Sequence, residues 1–200
     1  MYGTIRVLLG LFSFGSFVLV IRKNNFIRRP TLYITGVLLS VVSMLVLYFV
    51  PIENWFLTFE SPEAAYRYTA FGKTNIIHKI DGNESTFMID RSESVDTHLI
   101  IPKSEDGWKI GLGSDTVCFY NKIIDDKIIT VYRFKNSDDY YLFVQTVNTK
   151  NVEVKDSRNS EFFKLEESSI YFSTYCTYLP KPEKQYWLSI NDIQVMPFAE

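Results

Sequence analysis

The chain has 200 residues, 46% of them hydrophobic and 16% aromatic, enough for one globular domain with a core and a short appended segment. Its net charge of −2 hides an asymmetry: residues 1–50 hold five bases and no acid, so residues 51–200 carry 16 bases against 23 acids, a net of −7. So acidic a domain lacks the clustered Lys and Arg that nucleic acid requires, which excludes nucleic acid as a partner.

Residues 7–21 form a first apolar run after Arg6, and residues 31–50 a second, twenty residues long and free of charge. A helix of that length spans ~30 Å, the thickness of a bilayer's hydrocarbon core. Arg22, Lys23, Arg28 and Arg29 fill the connection, and no small-x-small cleavage pattern follows the first run. The sequence therefore predicts a two-helix transmembrane hairpin at 1–50, with spans at about 5–21 and 31–50 and a basic loop at 22–30. Basic residues near span ends stay in the cytoplasm, which puts the loop inside and residues 51–200 outside the cell membrane. Pro30 opens the second helix. Gly36 and Ser40 have the small-xxx-small spacing that lets helices pack closely. Tyr48, Pro51 and Trp55 mark the outer interface.

After the runs the period changes. Residues 54–59 read as a short strand. Ser61 is a helix N-cap, Pro62 suits the first helical position, and Glu63 suits the positive helix end, so a short helix follows and stops at Gly72. The rest alternates as strands: 75–80 and 85–90 around the Asp81-Gly82 turn, 97–101 up to Pro102, a strand carrying Trp108, Ile110 and Leu112 on one face, then 116–121, 127–134, 140–147, a short edge strand near 152–154, 170–179, 185–190 and 193–195. Polar turns between neighbours imply an antiparallel sheet or sandwich, a mainly-β (α+β) domain with one short helix.

Chemical motifs are scarce. Gly111-Leu112-Gly113 lacks the third glycine of a dinucleotide loop, and no Walker loop, nucleophile elbow, zinc-ligand helix or calcium loop is present. His78 and His98 each sit on a strand without a ligand pattern, so no metal or other cofactor is expected. Asp125-Asp126, Asp138-Asp139 and Glu166-Glu167 read as solvated turn charge. Asn83-Glu84-Ser85 matches a glycosylation sequon. Cys118 and Cys176 are either one disulfide, worth ~4 kcal/mol for so long a loop, or two free thiols acting as small hydrophobes. The aromatic run from Tyr171, with Ser173 and Tyr175 on one strand face and Tyr186 and Trp187 after it, offers a candidate binding surface.

Residues 51–65 (PIENWFLTFESPEAA), 77–82 (IHKIDG) and 101–110 (IPKSEDGWKI) resemble small membrane-anchored proteins of Gram-positive bacteria, uncharacterised and without a known activity. The resemblance covers the first half of the domain and implies a bacterial cell-envelope setting. The capped helix followed by strands is also similar to cone-shaped folds of the nuclear-transport-factor type, but those need more helices than this sequence offers, and no pocket residue follows from them.

The resulting expectation is a membrane-tethered extracytoplasmic binding or accessory domain, non-enzymatic, with the lipid bilayer and another membrane or envelope protein as partners. Two alternatives stand beside it: a cell-envelope hydrolase using isolated carboxylates, and a membrane immunity protein.

Overall fold

The computed structural model describes residues 10–12, 14–15, 18, 30–70, 74–92, 95–147, 152–165, 172–191 and 193–199. Residues 10–12, 14–15 and 18 are helical, and α1 spans Pro30–Phe49. The transmembrane hairpin is corrected here: among the described residues no helix is long and apolar enough to cross a membrane. The cell-membrane location and the two spans fall with that finding. The basic loop that set the orientation lies outside the described residues. Gly36 and Ser40 lie one turn apart on α1, both half-buried.

The short strand expected at 54–59 is instead a 3-10 helix, Ile52–Trp55. The cause is Asn54, whose side chain takes the place of a strand partner: its Oδ1 accepts the Ile110 N–H at 2.7 Å and its Nδ2 donates to the Ile110 carbonyl at 3.0 Å. Lys109 Nζ then donates to the Asn54 and Leu57 carbonyls, each at 3.0 Å. Only Phe59 pairs as a strand, bridging Trp108. That pairing also explains Gly107, at φ 137°, where a Cβ would meet the Phe59 carbonyl oxygen at 2.6 Å.

Helix α2, Pro62–Thr69, starts as its sequence demands: Ser61 is extended and its Oγ accepts the Ala64 N–H at 3.1 Å, with Pro62 in the first turn. It ends at Thr69; Gly72 lies outside the described residues.

Among the described residues twelve strands follow, and every pairing between them is antiparallel. The first sheet is a meander, β1 (Ile76–Asp81), β2 (Ser85–Ser92), β3 (Val95–Ser104) and β4 (Gly107–Trp108). β3 continues through Pro102, which pairs with Ser85 and offers its carbonyl to the Lys109 N–H. The central sheet runs in the order β5 (Thr116–Ile124), β6 (Lys127–Phe134), β7 (Asp139–Val147), β10 (Phe172–Pro180), β9 (Phe163–Leu165). After β7 the chain leaves this sheet for β8 (Val154–Asp156), returns through β9 and β10, and leaves again for β11 (Leu188–Ile190) and β12 (Ile193–Val195). β12, β11 and β8 make a third, three-stranded sheet.

The alternation of side chains sorts these sheets into layers. On β7, Tyr140, Leu142 and Val144 join the cluster with Leu188, Ile190 and Val195 of the third sheet, while Tyr141 and Phe143 join Phe87, Ile89 and Ile100 of the first. Both faces of the central sheet are therefore covered. An antiparallel sheet more often keeps one face wet; here Asp139–Val144 are all buried. The first sheet is also two-sided, because Met88 and Ile101 turn outward under Ala65 and Tyr66 of α2. A bulge between Ile76 and His78 shifts the phase of β1, so Ile76 faces α2 while Ile77 and Ile80 face the central sheet.

A candidate binding cleft

Where the first sheet lies over the central one, the packing is incomplete and leaves a cleft of about 200 Å³. Its wall is a group of rings. Phe87 stands 5.5 Å from His98, nearly parallel to it, and 4.8 Å from Phe143; Tyr132 stands 4.6 Å from His98 and 5.6 Å from Phe143. Thr130, Gln145 and Thr174 supply the polar part of the lining, from β6, β7 and β10. These positions come together because β6, β7 and β10 are in register, Thr130 opposite Phe143 and Gln145 opposite Thr174.

Two features of the cleft are chemically unusual. Thr174 is buried and its Oγ1 has no hydrogen-bond partner, a state that costs ~1–3 kcal/mol. Asp90 Oδ1 and Thr146 Oγ1 are also buried without a partner, but neither residue lines this cleft. Second, among the described residues no Lys or Arg lines the cleft. The one acid among them, Asp96, is held by Arg91, with Nε 2.7 Å from Oδ1 and Nη2 3.1 Å from Oδ2. Burial lowers the pKa of His98, leaving a neutral imidazole at pH 7. A second, larger depression of about 360 Å³ lies between β5 and the residues after β12, with Lys122, Gln194 and Met196 on its rim.

Two other polar clusters are structural. Asp139 accepts from the Asn83 N–H at 3.2 Å, the Glu84 N–H at 2.8 Å, Ser85 Oγ at 2.8 Å and Tyr178 Oη at 2.6 Å. Asp156 accepts from the Arg158 and Ser160 N–H groups and from Tyr186 Oη at 2.9 Å. Burial, reinforced by these carboxylates, holds the Tyr178 and Tyr186 phenols well above the usual tyrosine range. Asp139 takes four protein donors and Asp156 three. Asp139 thus corrects the reading of its pair as solvated turn charge; Asp138 is exposed, Asp125 sits in a turn at φ 53°, Asp126 pairs with Lys127, and Glu166-Glu167 lies outside the described residues.

The aromatic surface expected from the sequence does not assemble. Tyr171 lies outside the described residues. Ser173 is buried, and Tyr175 packs against the core shared with the third sheet, with Lys164 Nζ 6.0 Å from its ring centre. Tyr186 is buried on Asp156, and Trp187 is half-buried beside Ser157. The reason is the third sheet, which covers the face that strand alternation alone left open. Cys118, exposed, and Cys176, buried, are free thiols. They sit on β5 and β10 with β6 and β7 between, about 14 Å of strand spacing, and a bridge needs Cα atoms within ~7 Å. His78 lies 5.9 Å from the Phe163 ring. Among the described residues no group of His, Cys, Asp and Glu is placed to hold a metal ion.

Thr130, Tyr132, Gln145 and Thr174 carried no motif. Their trace in the sequence is a polar or hydroxyl-bearing residue on otherwise apolar strands, buried at Thr130 and Thr174 and exposed at Gln145. The chain matches no protein family, no curated protein and no solved structure.

Proposed function

We propose that this chain is a binding or accessory domain, non-enzymatic, that uses the cleft between its first and central sheets to hold a small molecule or a partner's side chain. One observation carries the reading: a buried, unpartnered Thr174 hydroxyl in a cleft walled by rings. Concave, mostly apolar sites with a few placed polar groups are the usual form of ligand sites. A hydrolase working through isolated carboxylates would bring two acids together in one cleft; among the described residues of this lining Asp96 is the one acid, and Arg91 engages it. The test is a mixture of small fragments followed by ligand-observed NMR. Saturable binding at one shared site, with every fragment recovered unchanged, is expected. Absence of any saturable binding, or consumption of a fragment, would contradict the proposal.

A further inference from the structure

Building on that reading, we infer that the cleft takes an uncharged, flat nitrogen heterocycle of one or two fused rings with both donors and acceptors on its edge, of nucleobase type. Size comes first. The cleft measures about 200 Å³, and a dry cavity of ~150 Å³ holds one benzene ring, so a single ring or a fused pair fits within it. Shape comes second. Phe87, His98, Tyr132 and Phe143 form one continuous wall of rings, and aromatic rings favour flat partners in offset-stacked or edge-to-face contact.

Charge decides between the remaining classes. Among the described residues of the lining an anion finds no Lys or Arg, and the carboxylate a cation would meet, Asp96, is gripped by Arg91 with two nitrogens. A ligand carrying phosphate would have to leave it outside. The polar groups decide the edge. Gln145 offers a donor and an acceptor side by side, the pairing by which an amide reads the edge of adenine. The hydroxyls of Thr130 and Thr174 can each serve as donor or acceptor. Thr174 Oγ1 has no partner among the described residues, so a ligand edge would complete its hydrogen bonding.

The test titrates adenine, uracil, toluene, tetramethylammonium and AMP against the full chain and against Thr174→Val and Gln145→Ala, with denaturation midpoints to verify folding. Adenine or uracil is expected to bind more tightly than toluene or tetramethylammonium. Thr174→Val should weaken the heterocycle by about tenfold, the size of one well-made hydrogen bond, while leaving toluene unchanged. AMP matching adenine would show a base bound with its phosphate in solvent and would support the inference equally; a free base alone binding would support it with a closed mouth. Should toluene or tetramethylammonium bind best, or should Thr174→Val and Gln145→Ala both leave heterocycle binding intact, the ligand class is overturned while the cleft still binds. If no probe binds, the inference and the binding role fall together.

Discussion

Tyr178 Oη donates to Asp139 Oδ1 across 2.6 Å, joining β10 to β7 beneath the turn between β1 and β2. The same carboxylate takes two backbone N–H groups and a serine hydroxyl from the Asn83–Glu84–Ser85 stretch. It therefore fixes the first sheet on the central one, and the cleft lies between those two sheets. Replacing Asp139 by Ala would remove an acceptor from four donors, of which the Asn83 N–H keeps Tyr178 Oη at 3.1 Å and Ser85 Oγ keeps Tyr141 Oη at 2.8 Å. Asp139→Ala is expected to cost ~3–5 kcal/mol by urea denaturation, and Tyr178→Phe ~1–2 kcal/mol. The double variant should fall well short of the sum, because the phenol loses its purpose once the acid is gone.

Gly82 belongs to the same junction. A Cβ there would lie 2.6 Å from Tyr141 Oη and 2.7 Å from Asp139 Oδ2. Gly82→Ala is expected to destabilise by ~1–3 kcal/mol through overpacking. In the Asp139→Ala background part of that cost should vanish, since one of the two obstructing groups is removed while Tyr141 Oη stays; equal costs in both backgrounds would separate the glycine from the network.

The two thiols give a direct chemical reading of the central sheet. Burial pushes the Cys176 thiol up to about 12, whereas Cys118 is exposed on β5. An aromatic disulfide reagent at pH 8, without reductant, should titrate one thiol in the native protein and two in denaturant. No free thiol in denaturant would mean a disulfide, and with it a different placement of β5 relative to β10.

Acidification should act in two steps. Burial lowers the pKa of both His78 and His98, so below their unfolded value of ~6.5 the unfolded chain binds more protons than the folded one. Stability is then complete above about pH 6.5 and declines as the pH falls through that value. Glu63, lowered mainly by its hydrogen bond to Lys79, contributes separately: its share is present above its ordinary value of 4.5 and is lost below it. Urea midpoints at pH 7.5 and 5.5 should differ in favour of pH 7.5, and His98→Gln should shrink that difference.

Local signals in the sequence were legible. Ser61-Pro62-Glu63 opens α2, the Asp81-Gly82 turn joins β1 to β2, and the runs at 127–134 and 193–195 form strands with those bounds. What could not be read was anything set by distant partners. Asn54 looks like a strand residue until Ile110 is beside it. Asp139 looks like solvated turn charge until Tyr178, 39 residues later, closes over it. Tyr186 looks like a surface aromatic because nothing local announces that β8, β11 and β12 cover the second face of the central sheet. The apolar run at 31–50 does form a helix, α1, but apolar composition carried that expectation past what the described residues show. The cleft was invisible for the same reason as Asp139, since its residues come from β2, β3, β6, β7, β9 and β10 and meet only through register.

The binding role of the cleft is tested most directly at its histidine. The chain has two histidines; His98 lines the cleft, while His78 sits on β1 against Phe163. Their ring Cε1–H signals can be followed by NMR during titration with adenine, assigned by His98→Gln. A saturable shift of the His98 signal with the His78 signal stationary is predicted. Equal movement of both, or movement of neither at saturating ligand, would contradict it.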